Sequence, residues 1–158
     1  MSKKILTYPD ERLKKRASEV RGVDEVGELI EQMKKTLKEV DGVGLAAPQV
    51  GISKQVFVVK DGHGYYGFMN PKIIEKSKET ITTKEGCLSF PEMWIDVERP
   101  KKIKVEALME TGERMVLEAE GTGAVVFQHE IDHLYGNLLI DKLSGFERIK
   151  NEIRYKAK

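Results

Sequence analysis

Length and charge set the first limits on this chain. It has 158 residues, of which 40% are hydrophobic, and its 27 basic and 26 acidic side chains leave a net charge of +1. This length predicts one domain, residues 1–158, and the composition excludes a disordered tail. The charge balance argues against a DNA partner. A membrane-spanning helix needs about 20 apolar residues, and the apolar runs of this chain are far shorter. The first residues lack the apolar core of a signal peptide. We therefore expect a cytoplasmic protein with no membrane partner.

The N-terminal third contains one strongly patterned helix. Residues 10–16 predict a short helix, and a longer one follows Asp24, a residue type favoured at helix N-caps. Gly42 ends the longer helix, since glycine is favoured just past a helix C-terminus. Apolar residues at helical spacing predict one buried face for it: Val26, Leu29, Ile30, Met33, Leu37 and Val40. Residues 42–51 are expected to form a glycine-containing loop.

Short strands dominate the middle of the chain. Two of them, residues 55–60 and 65–69, flank a glycine turn, and Asn70-Pro71 is predicted to end the second. Residues 103–107 and 115–119 alternate apolar and polar side chains on either side of Thr111-Gly112, which is typical of a hairpin with one buried face. Further short strands are predicted at 72–76, 80–84 and 95–97.

Two more helices complete the pattern. One is predicted from about Thr122, a suitable N-cap, to Tyr135. The last covers residues 144–156, with Phe146, Ile149 and Ile153 expected to pack on the core. Helices at both flanks of an antiparallel middle predict an α+β fold: antiparallel sheets around a central helix, an N-terminal-half helix and a C-terminal helix.

The central helix contains the pattern His-Glu-x-x-His, at His129, Glu130 and His133. Residues four apart lie on one face of a helix, so both imidazoles can reach one metal ion. Glu130 follows the first histidine and is placed to take a proton from a metal-bound water. Apolar neighbours predict that this helix is buried, and buried polar groups need partners. The third histidine, His63, lies in the glycine turn and is expected at the surface.

A catalytic metal of this kind has three protein ligands and one open position. Two residues can supply the third ligand. One is Cys87, the single cysteine, and the other is Glu152, which follows His133 at a spacing similar to that of metalloproteases with a downstream glutamate. A structural metal site with all four positions filled is a further alternative. Spacing alone leaves these possibilities open.

Three segments resemble, in order and interval, the three signature motifs of peptide deformylases. They are Gly-Val-Gly-Leu-Ala-Ala-Pro-Gln at 42–49, Glu-Gly-Cys-Leu-Ser at 85–89 and Gln-His-Glu-Ile-Asp-His-Leu at 128–134. The opening segment at 5–10 and Leu13 are also similar to that family's N-terminus. Tyr135 departs from the family pattern, which often has asparagine there, but it lies beyond the ligands.

The resemblance implies removal of the formyl group from N-formylmethionine of newly made polypeptides, by one divalent metal ion per chain. It implies Cys87, His129 and His133 as ligands, and Fe²⁺ as the metal, with Zn²⁺, Ni²⁺ or Co²⁺ as substitutes. Metal-bound water would attack the formyl carbon, with Glu130 as general base and then acid. The side-chain amide of Gln49 and the backbone N–H of Leu88 would stabilise the oxyanion.

Substrate contacts follow from size and position. Crowding by Gly44, Leu45 and Leu88 would exclude acyl groups larger than formyl. Val125 and Val126, with Val43 and Leu88, are candidates for the methionine pocket, although Val126 is equally well explained as a core residue. Backbone near Val43 and Gly44 would pair with the peptide as an added strand.

Two further expectations concern charged residues. Glu85 and Arg99 are predicted to pair and to hold the segment that carries Cys87. Residues 144–158 carry five basic and two acidic side chains, so their positive charge exceeds the net charge of +1 of the whole chain. This basic face has two interpretations: a solubilising end of the chain, or weak docking to ribosomal RNA near the point where nascent peptides emerge.

Overall fold

Three α-helices and seven strands make up the computed structural model, which describes residues 2–157. The helices are α1 (Val23–Glu39), α2 (Thr122–Leu134) and α3 (Gly145–Lys156). The strands are β1 (Gly44–Ala46), β2 (Val56–Asp61), β3 (Gly64–Lys76), β4 (Thr80–Cys87), β5 (Phe90–Pro100), β6 (Lys102–Met109) and β7 (Arg114–Glu120). Short 3-10 turns cover Glu11–Lys14, Ala47–Val50 and Leu139–Lys142. The predicted α+β class is confirmed, with α2 as the central helix.

The strands form two antiparallel sheets. Five of them are ordered β1-β2-β3-β6-β7, while β4 and β5 form a separate hairpin. The predicted hairpin is present: Ile103 pairs with Ala119 and Val105 with Leu117. Ile103, Val105 and Ala107 are buried, because side chains two apart share one face of a strand. Strand β1 lies at the edge of the larger sheet, so one side of its backbone is not paired within that sheet.

Two strand predictions were wrong. Asn70-Pro71 does not end a strand, since β3 continues through it with a shift of register between Met69 and Lys72. Asn70 adopts a positive φ of 50° and its side chain accepts from Val20 N–H and donates to Val20 C=O, contacts that stabilise the irregularity. Strand β5 spans eleven residues rather than 95–97, because pairing with β4 extends it in both directions.

Helix α1 covers one side of the larger sheet. Val26, Ile30, Met33 and Leu37 are fully buried, as the helical spacing predicted, while Leu29 is half-buried and Val40 is exposed. Helix α2 lies on the other side of β1 and β2 and packs Ala124, Ile131 and Leu134 into a cluster with Phe57 and Phe68. Both helices thus position the loop and strand between residues 42 and 50.

The last helix forms as predicted, but the prediction of which side chains it buries was wrong. Phe146, Ile149 and Ile153 are 76%, 58% and 64% exposed. Helix α3 docks instead through Tyr155, which is 2% exposed and packs against Tyr8 and Phe90. The reason is that one large ring with a hydroxyl bonded to the Pro91 carbonyl anchors this short helix by its end. Among residues 2–157, no helix is long and apolar enough to cross a membrane.

Candidate active site

Cys87, His129 and His133 come together although β4 and α2 are far apart in the chain. Their candidate ligand atoms lie within 4.8 Å of one another. Cys87 Sγ is 3.3 Å from His133 Nε2, and the two imidazole rings are 5.1 Å apart. Cys87 ends β4 and both histidines lie on one face of α2, so the β4–β5 hairpin must pack on α2 to assemble the group.

The alternative third ligand lies elsewhere. Glu152 is on α3, where it accepts a hydrogen bond of 2.8 Å from Arg148 Nε, and it is not part of the Cys-His-His group. His63 is exposed in the turn between β2 and β3, as expected. Of the two candidates that spacing left open, only Cys87 therefore lies beside the histidines.

Glu85 and Arg99 form a buried pair behind this group. Arg99, 5% exposed, donates from Nε and Nη2 to the two Glu85 oxygens over 2.6 and 2.9 Å. Glu85 Oε1 also lies 3.0 Å from Nδ1 of His129. A carboxylate only accepts hydrogen bonds, so His129 carries a proton on Nδ1, and Nε2 is the nitrogen that could bind a metal in place of a proton.

Arg99 also donates over 2.9 Å from Nη1 to Asp132, the residue before His133. The guanidinium thus ties β4 to α2, the two elements that supply the three sulfur and nitrogen atoms. Sequence reasoning missed Asp132, although its place inside the histidine motif was the available signal.

The electrostatics around the group favour a cation. Burial lowers the pKa of His129, but hydrogen bonds to Cys87 and Glu85 outweigh it and hold that pKa well above its usual value. Burial lowers the pKa of His133 well below its usual value, so this imidazole is neutral. The site therefore offers a soft donor set: one thiol, one neutral imidazole and a second imidazole beside the Glu85 carboxylate. Such donors suit Zn²⁺, Fe²⁺ and similar ions.

Glu130 lies inside the same cleft but is not one of the grouped ligands. It is 3% exposed, and its Oε1 has no hydrogen-bond partner among the described residues. Burial raises its pKa to about 7, against the opposing charges of His129 and Arg99. A carboxyl group near neutrality can both accept and return a proton at physiological pH.

Gly44 makes room for that carboxyl group. A Cβ built at position 44 would collide with Oε2 and Cδ of Glu130. Any side chain there would displace Glu130, so glycine is required by close approach rather than by backbone conformation.

The carboxamide of Gln49 is held in one orientation. Its Oε1 accepts from Ala46 N–H over 2.9 Å, and its Nε2 donates to Ser89 Oγ over 3.1 Å. Nε2 also lies 3.6 Å from Cys87 Sγ. The amide hydrogens therefore face the sulfur side of the site, where an oxyanion donor is useful. Sequence reasoning quoted Ser89 within a motif but gave it no role.

A cleft of about 810 Å³ opens over these residues. Of the predicted substrate-contacting residues, five line it: Val43, Gly44, Leu88, Val125 and Val126. Leu45 does not, because it is fully buried in the core cluster that packs on α1. The prediction that Leu45 directly crowds the acyl group is therefore not supported by its position.

Together these features define a class: an α+β protein with a Cys-His-His site and a buried carboxyl group at the base of an apolar cleft. With a metal bound, such a site can activate a water molecule for attack on a carbonyl carbon. The family model of polypeptide deformylases matches residues 2–149. The peptide deformylase of Thermotoga maritima is 48% identical over 147 residues, which cover 92% of this chain and 90% of that one. That of Neisseria meningitidis serogroup C is 44% identical over 98% of this chain and 95% of that one.

Solved structures agree with the sequence comparisons. The crystal structure of peptide deformylase from Ehrlichia chaffeensis in complex with actinonin has a TM-score of 0.94 and 37% identity, covering 99% of this chain and 98% of that one. This chain belongs to the peptide deformylase family. The predicted enzyme class is confirmed with it.

Proposed function

We propose that this protein removes the formyl group from the N-terminal methionine of nascent peptides in the cytoplasm, with residues 1–158 acting as one catalytic domain. The observation that carries this proposal is the buried Glu130 carboxyl group beside the Cys-His-His group, at the base of a cleft open to a peptide. Neither a solvated helix nor a purely structural metal site needs an unpartnered carboxyl group there.

We propose Cys87, His129 and His133 as the ligands of one divalent ion. Iron as Fe²⁺ is the proposed metal, with Zn²⁺, Ni²⁺ or Co²⁺ as substitutes that the same donors accept. When bound, the ion supplies Lewis-acid activation of water and of the formyl carbonyl. Glu85 fixes the tautomer of His129, and the Glu85–Arg99 pair holds the segment that carries Cys87.

The remaining chemistry belongs to side chains and backbone of this chain. Glu130 takes a proton from the attacking water and then gives it to the leaving amine. Gln49 Nε2 and the backbone N–H of Leu88 donate to the oxygen that becomes negative in the transition state. Because Ala46 and Ser89 already orient the Gln49 amide, little reorganisation is needed as that charge develops.

Substrate selection follows from the walls of the cleft. Gly44 and Leu88 leave little room beside Glu130, which favours formyl over larger acyl groups. Leu88, Val43, Val125 and Val126 provide the apolar surface for a methionine side chain. The free edge of β1 near Gly44 can pair with the peptide backbone, a contact that does not depend on the sequence that follows.

The test is formate release from formyl-Met-Ala by anaerobically purified protein, with elemental analysis of the same sample. We expect formate release, loss of it on chelation and recovery with Fe²⁺. Acetyl-Met-Ala serves as the matched control and should not be hydrolysed. Cys87→Ser should lose metal and activity, whereas Glu152→Gln should keep both. The reverse result would favour a glutamate-ligated metalloprotease, and a chelated protein that unfolds without ever releasing formate would favour a structural site.

We also propose that α3 associates weakly with the ribosome. Lys150, Arg154 and Lys156 are exposed on this helix, and the apolar side chains of Phe146 and Ile149 lie exposed on it as well. The substrate is found at the ribosome, so modest affinity would raise its local concentration.

Cosedimentation at low and high salt tests this association. We expect binding at low salt that falls steeply as salt rises, because phosphate contacts release counterions. Charge reversal of Lys150, Arg154 and Lys156 should abolish it without affecting formyl-Met-Ala hydrolysis. Charge reversal of three other exposed lysines, Lys72, Lys76 and Lys78, is the matched control. No cosedimentation of the unaltered protein at low salt would leave the basic face of α3 with no role beyond solubility.

A further inference from the structure

The single tryptophan of this chain, Trp94, is exposed although it lies beside the active site. Its side chain is 66% exposed and lines the cleft that contains Cys87 and Glu130. A large aromatic ring gains free energy when its faces are covered, and tryptophan is enriched at the centres of binding surfaces. This ring therefore provides contact area that the folded chain itself does not use.

The hairpin places Trp94 next to the site. Trp94 pairs with Gly86 across β4 and β5, and Gly86 precedes Cys87. A Cβ at position 86 would lie 2.6–2.8 Å from ring carbons Cζ3, Cη2 and Cε3 of Trp94. The indole thus rests on the backbone of Gly86. Because that contact fixes the ring on one side, its remaining surface is available to a ligand in the cleft.

Charged residues next to Trp94 along the β4–β5 hairpin form ion pairs. Lys84 is 3.5 Å from Asp96, and Glu92 is 3.4 Å from Arg154. Each pair joins opposite charges, so the indole of Trp94 is the large apolar surface at this part of the rim. A charged side chain would gain little here, whereas an aromatic or long apolar one would gain stacking and burial.

We infer that Trp94 determines specificity for the residue that follows the formylmethionine, favouring an aromatic or long apolar side chain there. This inference rests on the proposed function, because it assumes that the formyl group of the substrate binds beside the Cys-His-His group. Successive side chains of an extended peptide point to opposite sides. With methionine in the apolar wall of Leu88, Val125 and Val126, the second side chain points away from it, towards the open rim.

Three peptides test the inference: formyl-Met-Ala-Ser, formyl-Met-Phe-Ser and formyl-Met-Ala-Phe. We expect kcat/KM for formate release to be about 3- to 10-fold higher with phenylalanine at the second position than with alanine, the size of an aromatic contact. The difference should lie mainly in KM, because the contact is made equally in the ground state and the transition state. Trp94→Ala should reduce the ratio to about 1, and Trp94→Phe should keep part of it.

The matched control is Glu98→Ala, on the same face of β5 but outside the cleft. It should keep the full ratio. A ratio near 1 in the unaltered protein, or a ratio that survives Trp94→Ala, would overturn the inference. Preference for phenylalanine at the third position alone would overturn the assignment to the second residue.

Intrinsic fluorescence gives a readout that does not depend on turnover. Because Trp94 is the sole tryptophan, its emission reports on this site alone. The product peptide Met-Phe-Ser should shift that emission at lower concentration than Met-Ala-Ser does. If no peptide released formate from any variant, the proposed function would fail, and this titration would still decide whether Trp94 contacts a peptide side chain.

Discussion

The carboxyl group of Glu130 occupies the space that a side chain at Gly44 would need. A Cβ at position 44 would collide with Oε2 and Cδ of that glutamate. Gly44 begins the edge strand β1 and Glu130 lies on α2, so two of the family motifs meet at this contact. The proposed general base is therefore positioned by the absence of a side chain on a neighbouring strand.

This contact predicts the effect of Gly44→Ala. The added methyl group should displace Glu130 and lower kcat by up to about 10²–10⁴-fold, the range for loss of a general base. Metal content should stay normal, because none of the three proposed ligands is touched. Gly27→Ala, on α1, is the control and should leave turnover unchanged, because a Cβ there would only reach van der Waals contact with Val23 Cγ2 at 4.0 Å. Near-normal turnover of Gly44→Ala would contradict the close approach.

Glu130→Gln separates proton transfer from metal binding. Glutamine keeps the size of the side chain and cannot carry the proton, so kcat should fall about 10²–10⁴-fold. Elemental analysis should show unchanged metal content, because Glu130 is not one of the grouped ligands. Full occupancy together with normal turnover would exclude Glu130 as the general base.

Gln49 and Ser89 should differ in the size of their effects. Gln49→Ala removes the proposed oxyanion donor and should lower kcat about 10²–10³-fold, with a smaller change in KM. Ser89→Ala removes one hydrogen bond that orients that donor, and should lower kcat by about 2- to 10-fold. In the Gln49→Ala background the serine substitution should have no further effect on kcat. Additive losses would mean that Ser89 acts independently of Gln49.

Metal affinity should show coupling between Glu85 and Arg99. Each of Glu85→Gln and Arg99→Met should weaken metal binding by about 10- to 100-fold, as is typical of residues that hold a ligand. The fold-loss of metal affinity in the double variant should be smaller than the product of the two single fold-losses, because either change already breaks the pair. The exposed pair Lys101–Glu79 gives a control cycle with no effect on metal affinity. Independent effects would refute the proposed joint role.

Glu85 should also make stability depend on pH. Burial raises the pKa of this carboxyl group, but hydrogen bonds from His129 and Arg99 outweigh burial and lower it to about 2 from 4.5. The stabilisation is therefore complete above about pH 4.5 and is lost as pH falls towards 2. In urea unfolding of the metal-free protein, the advantage of the unaltered chain over Glu85→Gln should shrink across that interval. A constant difference would show that Glu85 does not titrate in this way.

Much of the site could be predicted from the sequence because it depends on local periodicity. The spacing of His129 and His133 places both imidazoles on one face of any helix that forms there, and the apolar pattern around them predicted that helix. The hairpin of β6 and β7 followed from alternation in the same way. These features require only the geometry of a single element or of two adjacent ones.

Only the tertiary structure decided how distant elements meet. Spacing left Cys87 and Glu152 as equal candidates, and packing of the β4–β5 hairpin on α2 placed Cys87 beside the histidines. The same packing brought Asp132 to Arg99 and Ser89 to Gln49. The apolar stripe of α3 predicted a buried face, yet docking through Tyr155 left that stripe exposed. Periodicity shows which side chains share a face, but the neighbouring surfaces determine which face is covered.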